Sequence, residues 1–476
     1  MTQVDRCGTI RGDRCADGEG PITMEEIIVR FDGDGAGIGG LTWGQQQVFA
    51  AMLELGSSLG LGGVVPVTDG RTVEDFAEEL RFFMSRYGAL RTLLRFDEDG
   101  GVTQEVFGSG ETTLLVLEEN DAGDAAEELL ATWRARTFDY AHEWPIRMAV
   151  VRRDGVVTHA IVLICHAATD LGGILVMMKE LAERDPVTGA ALTPYAGMQP
   201  LDLVAAQLQP PARRTTEKAM RYWEEHLRAV PTARFAPPVD RGEPRFHRVI
   251  WSSRAMFLAS ERLAARLGVD GAAVLLAAFA AGFGRVTGIT PFVAQAIIGN
   301  RFRPGLGGVV GAITQNGLCV LDVADLTAGE AIERARAASM TASKYGYYEP
   351  DARRRLLDAI ERDRGETFDL ACFYNDRRIQ LPEAGAHEAT DEELRAALAA
   401  STEVPVELPL PFFNEKLMVN IDDVPGTAQV TTEVDTRYLS LADLRAMLRQ
   451  MEAFTVEAAL DPTAPTGVAP YAGASR

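Results

Sequence analysis

A run rich in aliphatic and β-branched residues at 156–164 constrains this chain more than any other feature, because a titratable side chain follows it. The run is typical of a buried strand. Cys165 and His166 come directly after it, and Asp170 stands four residues beyond the histidine. Two glycines and the apolar pattern of a helix at 174–181 come next. The end of a buried strand is rigid and can present a reactive group in a fixed direction. The sequence therefore predicts a functional site at His166.

Side-chain alternation gives different roles to the two residues that end this strand. In an extended strand, Leu163 and Cys165 share one face, while Ile164 and His166 share the other. Cys165 and His166 should therefore point in opposite directions, which favours packing for the cysteine and chemistry for the histidine. A second predicted strand at 146–152 precedes the run across an Asp-Gly turn, so we expect the two strands to form an antiparallel hairpin.

Length and charge limit the class of protein. The 476 residues are too many for one ordinary hydrophobic core, which favours two domains. The net charge of −21 argues against nucleic acid as the main partner, since phosphate binding needs a basic face. No stretch approaches about 18 uninterrupted apolar residues, so we expect no membrane segment. Five scattered cysteines favour a reducing cytoplasm, and their spacing predicts no metal site.

Shifts in composition suggest how the chain is divided. Residues 1–23 are polar and rich in glycine, aspartate and arginine, which predicts a flexible leader. Prolines without clear periodicity indicate a connection near the middle of the chain. We therefore expect a first lobe at 24–205, a second lobe at 206–462 and a tail at 463–476. Each lobe mixes predicted strands with predicted helices, which indicates an α/β (α+β) fold class.

Short motifs recur along the chain in an order shared with a known family. The family hallmark, His-His-x-x-x-Asp-Gly, stands here as Cys165-His166-Ala-Ala-Thr-Asp170-Leu171. Further family elements are matched, in sequence order, by residues 42–49, 86–92, 138–147, 222–227, 300–301 and 316–318. On these motifs the chain resembles the condensation domains of non-ribosomal peptide synthetases, which share an acyltransferase superfamily with chloramphenicol acetyltransferase. The resemblance covers about residues 24–462. It implies that the protein is a free-standing member of this family.

The resemblance implies a fold and a set of site residues. The fold would be two chloramphenicol-acetyltransferase-like lobes that form a V-shaped pseudo-dimer. The second histidine of the hallmark maps onto His166, which is implied to be the catalytic residue, either as a general base or as a group that positions the nucleophile. Asp170 is implied to pair structurally with an arginine, and Arg301 is our candidate. Asn316 is a possible substrate-lining residue.

Two positions depart from the hallmark. Cys165 replaces its first histidine, and Leu171 replaces its final glycine. Since Cys165 should face away from His166, we expect it to support the site by packing. Where a glycine provides a positive φ or a close approach, its loss must be offset nearby, and Gly172 is our candidate for that supporting role.

The resemblance also implies a reaction and its partners. The acyl donor would be a thioester on the phosphopantetheine arm of an acyl or peptidyl carrier protein, with no covalently bound cofactor and no metal. The acceptor would be a small-molecule amine or alcohol, and we expect no nucleic acid or membrane partner. Two alternatives stay open. One is a catalytically degenerate module that recruits carrier proteins or tailoring enzymes, which the departures at Cys165 and Leu171 favour. The other is acyl transfer from coenzyme A on the same fold.

Overall fold

The computed structural model of the chain describes residues 6–11, 23–118, 125–185, 188–379, 388–401 and 405–470. Within these residues, sixteen strands in three sheets are accompanied by twelve α-helices, so the predicted mixed α/β class is confirmed. The strands are β1 (Arg6–Arg11), β2 (Thr23–Asp32), β3 (Gly37–Gly40), β4 (Leu61–Pro66), β5 (Thr92–Phe96), β6 (Val102–Val106), β7 (Ser109–Glu118), β8 (Ile146–Arg153), β9 (Val156–Ile164), β10 (Phe246–Ser253), β11 (Phe292–Ile298), β12 (Gln315–Leu321), β13 (Cys372–Asp376), β14 (Val406–Leu410), β15 (Leu417–Val424) and β16 (Thr427–Asp435). The helices are α1 (Trp43–Leu55), α2 (Val73–Arg86), α3 (Ala125–Ala135), α4 (Leu171–Ala182), α5 (Pro200–Gln207), α6 (Pro210–Ala229), α7 (Arg254–Leu267), α8 (Gly271–Thr287), α9 (Ala328–Tyr345), α10 (Pro350–Arg364), α11 (Asp391–Ala399) and α12 (Leu441–Leu460).

Contacts divide the described residues into two compact units. The first unit holds the residues up to Arg213 together with Gly299–Thr314, and the second unit holds the remainder. The predicted boundary between lobes, after residue 205, lies slightly before this division. The excursion Gly299–Thr314 was predicted within the second lobe but belongs to the first unit. Its backbone is held there by hydrogen bonds to the carboxylate of Asp170, which no local sequence pattern reveals.

The main sheet of the first unit has the strand order β1-β2-β7-β8-β9-β4. The pair β7 and β8 is parallel, and the other neighbours are antiparallel. The β8–β9 hairpin turns through Asp154 and Gly155, whose φ angles of 51° and 80° lie in the left-handed region that tight hairpin turns require. The hairpin predicted from the Asp-Gly signal is therefore confirmed. A smaller sheet, β3-β6-β5, completes the unit.

Strand β9 is covered on both of its faces. On one face, Ile164 packs in a core cluster with Phe76 of α2 and Met177 of α4. On the other face, Leu163 and Cys165 pack in a second cluster with side chains of α1 and α3. Burial on both faces explains why this strand is apolar nearly throughout, and it makes the strand end a rigid base for the residues that follow.

The second unit is built on a seven-stranded sheet with the order β12-β11-β13-β15-β16-β10-β14. Its central helix, α8, has thirteen of its seventeen residues buried, so it is a core helix. Among the described residues no single helix has the length and apolar character of a membrane span, whereas the bent pair of α7 and α8 meets those two criteria together. Small residues let α12 approach α8 closely: a Cβ at Gly282 would lie 2.9 Å from the carbonyl oxygen of Met447.

The predicted flexible leader, 1–23, is structured where it is described. Residues 6–11 form β1, which pairs antiparallel with β2 at the edge of the main sheet of the first unit. Pairing of this kind uses backbone N–H and C=O groups and needs no apolar side chains, so a polar composition does not reveal it. Residues 1–5 and 12–22 of the leader lie outside the described residues.

The predicted tail, 463–476, also begins as packed structure. Val468 is buried in the core of the second unit. The Thr466 backbone N–H donates a hydrogen bond to the Leu326 carbonyl, and its side chain donates one to the Val323 carbonyl. This stretch has no helical or strand periodicity, so its sequence does not predict that it packs on the second unit. An irregular segment can still be held by individual hydrogen bonds. Residues 471–476 lie outside the described residues.

The close contact between α8 and α12 predicts an unequal response of two glycines to alanine. Gly282→Ala should lower the free energy of unfolding by about 1–3 kcal/mol, because the added methyl group would meet the α12 backbone. Gly271→Ala is the matched control, since its Cβ would meet nothing closer than 3.6 Å. Chemical denaturation of both variants measures the difference. Equal stability of Gly282→Ala and the wild type would contradict this packing.

Candidate active site in the first unit

His166 lies in a turn that is held by backbone hydrogen bonds. Cys165 donates its N–H to the Pro145 carbonyl over 2.9 Å, and His166 donates its N–H to the Ser58 carbonyl over 3.2 Å. Ala168 closes the turn by donating to the Cys165 carbonyl over 3.0 Å. Because these three hydrogen bonds use only main-chain groups, they set the backbone position of His166 without help from its side chain.

The imidazole of His166 makes one hydrogen bond that decides its chemistry. Its Nδ1 atom lies 2.9 Å from the carbonyl oxygen of Thr169. A carbonyl oxygen can only accept, so Nδ1 must carry the hydrogen, and in the neutral ring Nε2 is then the atom with a free lone pair. The side chain is half-buried, so the ring is accessible as well as oriented. This arrangement presents a proton acceptor at Nε2.

Cys165 packs in the same cluster as Leu163, as the alternation predicts. It is fully buried and packs with Ile161 and Leu163, whereas Ile164 belongs to the cluster on the other face of the sheet. Burial raises the pKa of its thiol to about 12. A thiol that stays protonated at neutral pH is a poor nucleophile, so the geometry supports the packing role proposed for Cys165.

A small cavity of about 20 Å³ lies on the Cys165 side of the turn. Gln45, Tyr140 and Glu143 line it together with Cys165, and their polar groups are already engaged. Tyr140 Oη shares a hydrogen bond with Ser58 Oγ at 3.0 Å. Glu143 lies 2.6 Å from Arg147, and Gln45 donates to Gln104. His166 does not line this cavity, and among the described residues no group of three His, Cys, Asp or Glu side chains is placed to hold a metal ion.

The carboxylate of Asp170 is saturated with donors. Its Oδ1 caps α4 by accepting from the Gly173 N–H at 3.0 Å and lies 2.5 Å from Arg301 Nη1. Its Oδ2 accepts from the backbone N–H groups of Ile313 and Thr314, at 3.0 and 3.1 Å, and from the Thr314 hydroxyl at 2.8 Å. A carboxylate with these five partners is structural: it fixes the excursion Gly299–Thr314 against the start of α4.

Arg301 supplies the opposite charge within the same unit. Its Nη2 donates to the carbonyls of Val309 and Gly311 at 2.9 and 3.1 Å, so the guanidinium holds its own segment in shape while it pairs with Asp170. Gly172 makes room for it: a Cβ at that position would lie 2.6 Å from Arg301 Nη1. Three of the predicted supporting residues, Asp170, Arg301 and Gly172, therefore come together in the structure.

Leu171 begins α4 with its side chain 41% exposed. It is not among the non-glycine residues with positive φ, so a leucine at this position causes no backbone strain of the kind that glycine relieves. The replacement of the hallmark glycine therefore leaves the turn at His166 intact, and the space that a glycine provides is found instead at Gly172.

Asn316 lies in the second unit, on β12 opposite Ile297 of β11. Its side-chain Nδ2 donates to Gln295 Oε1 at 3.3 Å, and its carbonyl accepts from the Tyr348 hydroxyl at 2.5 Å. Gln295 Oε1 also accepts from Arg353 Nη1 at 2.7 Å. These contacts give Asn316 a place in a polar network of the sheet, and its role as a substrate-lining residue stays a prediction.

Sequence reasoning missed the partners that use their backbone. The Thr169 carbonyl orients His166, the Ser58 carbonyl anchors its N–H, and the N–H groups of Ile313 and Thr314 hold Asp170. A backbone group carries no residue-specific signal. The exception is Gly173, which the sequence displays as the second glycine of a pair.

Comparison with known proteins agrees with the motif pattern. A sequence model of the family described as Condensation domain matches residues 43–465. A sequence search of curated proteins gives no significant match.

Solved structures share the fold. The condensation domain that mediates chain release from the enacyloxin polyketide synthase has a TM-score of 0.64 at 20% identity, over 88% of this chain and 79% of that one. SgcC5 from Streptomyces globisporus has a TM-score of 0.64 at 16% identity, over 90% of this chain and 100% of that one. The X-domain from teicoplanin biosynthesis has a TM-score of 0.67 at 17% identity, over 90% and 97%. At these identities the likeness shows the fold, which is the chloramphenicol-acetyltransferase-like fold of condensation domains.

The burial of Cys165 predicts its reactivity. In the folded protein at about pH 8.5, iodoacetamide should leave Cys165 unmodified, because the raised pKa keeps its thiol protonated and its neighbours exclude the reagent. In denaturant the same residue should react fully. Peptide mapping by mass spectrometry separates Cys165 from the other cysteines. Rapid alkylation in the folded state would contradict the packing described here.

The saturation of Asp170 predicts a large loss of stability when its charge is removed. Asp170→Asn keeps the shape but leaves Arg301 without a counterion, so the free energy of unfolding should fall by about 3–5 kcal/mol. The control is Glu111→Gln, which breaks an exposed ion pair with Arg30 and should cost less than about 1 kcal/mol. Denaturant titration compares the two. Similar losses in both variants would show that the Asp170 pair is no more important than a surface pair.

Proposed function

Because the chain belongs to the condensation domain family, we propose that it is an acyltransferase that joins an acyl thioester on a carrier protein to a small-molecule amine or alcohol. The observation that carries the proposal is the hydrogen bond from His166 Nδ1 to the Thr169 carbonyl, which leaves Nε2 as a proton acceptor. The thioester would be presented on a phosphopantetheine arm as substrate. We expect the reaction in the cytoplasm, where cysteines such as Cys165 and Cys319 remain free thiols.

The proposed step can be written with its atoms balanced. The amine or alcohol approaches the thioester carbonyl and passes its proton to His166 Nε2 as the new C–N or C–O bond forms. The negative charge that develops on the carbonyl oxygen disappears when the tetrahedral intermediate collapses and the C–S bond breaks. The imidazolium then returns the proton to the departing thiolate. A histidine that only positions the nucleophile would use the same Nε2 atom as a hydrogen-bond acceptor.

Asp170 has no part in this proton transfer. Both of its oxygens are occupied by donors, and it contacts Arg301, Gly173 and the backbone of Gly299–Thr314 rather than the imidazole. Its proposed role is to hold the start of α4 and the excursion in one arrangement. His166 is then the residue that carries the chemistry, with Cys165 and Gly172 in support.

The relatives of similar fold widen the range of acceptors worth testing. The enacyloxin domain mediates chain release from its synthase, and the SgcC5 structure contains a naphthyl ethanediol, which is an alcohol. These facts concern those proteins. For this chain they support the inclusion of alcohols beside amines.

A non-catalytic module that recruits carrier proteins or tailoring enzymes is the second candidate. The departures at Cys165 and Leu171 favour it. However, Cys165 is buried in a packed cluster and Leu171 adds no backbone strain, and the hydrogen bond that orients His166 is present beside both departures. We therefore place the enzyme ahead of the recruitment module.

The test is intact-protein mass spectrometry of a carrier protein loaded with a panel of acyl groups, incubated with mixed amines and alcohols. Wild type should release the acyl group as an amide or ester. His166→Ala should lower that rate by about 10²–10⁴-fold, the usual contribution of a general base. His226→Ala is the matched control, because its Nδ1 also bonds a backbone carbonyl, that of Tyr222, but in the second unit. An acyl-coenzyme A arm identifies the alternative donor.

Two outcomes would redirect the proposal. If His166→Ala transfers the acyl group as fast as wild type, the assignment of His166 is wrong. If wild type leaves every donor intact while it retains the carrier protein in a pull-down, the recruitment module is supported instead.

A further inference from the structure

The carbonyl that orients His166 belongs to a residue with no freedom to move. Thr169 is fully buried, and its hydroxyl lies 3.3 Å from the carbonyl of Asp170, to which it donates. Its own carbonyl accepts from His166 Nδ1 at 2.9 Å. A β-branched side chain has few χ1 rotamers, and Thr169 is enclosed on all sides, so the hydroxyl group makes room for a new neighbour by a shift of the whole residue, including its carbonyl.

Gly173, in the first turn of α4, packs directly against that side chain. A Cβ at Gly173 would lie 2.1 Å from Thr169 Oγ1, which is closer than any ordinary contact between these atoms. The next nearest atom, Arg301 Nη2, would be 3.0 Å away and needs to give by only a few tenths of an ångström. Gly173 does not have a positive φ, so space rather than backbone conformation requires a glycine here.

The neighbouring glycine serves a different group. A Cβ at Gly172 would have as its three nearest neighbours the guanidinium and Cδ of Arg301, at 2.6–3.0 Å. The pair of glycines therefore separates two functions within one helical turn. Gly172 leaves room for Arg301 of the ion pair, and Gly173 leaves room for Thr169, whose carbonyl accepts from the imidazole.

We propose that Gly173 is a positioning residue for His166: its missing side chain lets Thr169 keep the carbonyl that fixes the hydrogen on Nδ1 and the lone pair on Nε2. Its proposed effect on the imidazole is indirect and passes through Thr169. The chemical value of a free Nε2 rests on the function proposed above, whereas the seating of Thr169 and the tautomer of His166 do not.

The consequence of filling this space follows from the geometry. Gly173→Ala must push Thr169 away by about 1 Å or more, since van der Waals contact begins near 3.4 Å. The Nδ1–H···O=C bond is then lost or bent. The hydrogen-bond partner of one ring nitrogen determines which nitrogen is protonated, so without this partner the neutral ring no longer keeps its lone pair at Nε2.

The test reads the tautomer of His166 by ¹⁵N NMR of histidine-labelled protein, at about pH 8.5, above the ordinary pKa of an imidazole. His166→Gln assigns the signal. In wild type, Nδ1 should show the protonated signature and Nε2 the unprotonated one. Gly173→Ala should lose this signature. Gly173→Ala combined with Thr169→Ala should regain it, because the second change removes Oγ1 and keeps the carbonyl.

Gly172→Ala is the matched control. It places the same methyl group one residue away, against Arg301, so it should lower the melting temperature without changing the His166 signature. The proposal is overturned if Gly173→Ala keeps the wild-type signature, if Gly172→Ala changes it as strongly, or if the double variant fails to regain it while remaining folded.

Activity measurements then separate this inference from the proposed function. In the acyl-transfer assay, Gly173→Ala should lower kcat by about 10²-fold, as a displacement of about 1 Å in a reacting group can do, and the double variant should recover most of the loss. If wild type shows no acyl transfer but the NMR results are as expected, the positioning role of Gly173 is supported and the proposed function is wrong.

Discussion

The structure around the candidate site depends on one carboxylate. Asp170 caps α4 through Gly173, pairs with Arg301, and accepts from the backbone of Ile313 and Thr314. The bonds from Ile313 and Thr314 come from residues more than 140 positions away in sequence. This carboxylate is 3% exposed, and both of its oxygens accept hydrogen bonds, so its role is structural. It joins the segment after β9 to the excursion that follows β11, within the first unit.

His166 is held by the residues between the end of β9 and Asp170. The strand β9 ends in a core on both faces, and the turn after it uses backbone hydrogen bonds to place His166. Thr169, between the histidine and the aspartate, turns its carbonyl to Nδ1. The side chain of Cys165 is fully buried, whereas that of His166 is half-buried. Two adjacent residues thus have different roles: Cys165 packs in the core, and His166 is available for chemistry.

The sequence predicts the features of this arrangement that depend on the pattern of side chains. The apolar run of β9, the Asp-Gly turn before it and the packing of Cys165 in the cluster of Leu163 all follow from such patterns. The family motif added the expectation that Asp170 pairs with Arg301. The parts that escaped are carried by the backbone. No pattern shows that Gly299–Thr314 leaves its own half of the chain, that residues 6–11 add a strand, or that Thr169 supplies the acceptor for the imidazole.

The central claim is that neutral His166 offers Nε2 to the nucleophile, and its most direct test is the pH dependence of acyl transfer by the wild-type protein. If the neutral imidazole is the proton acceptor, kcat/KM should rise with pH as a single group loses its proton, and should then reach a plateau. The rise should be absent from the residual activity of His166→Gln. A rate that stays constant between about pH 5 and 8, in a protein that remains folded, would contradict the account.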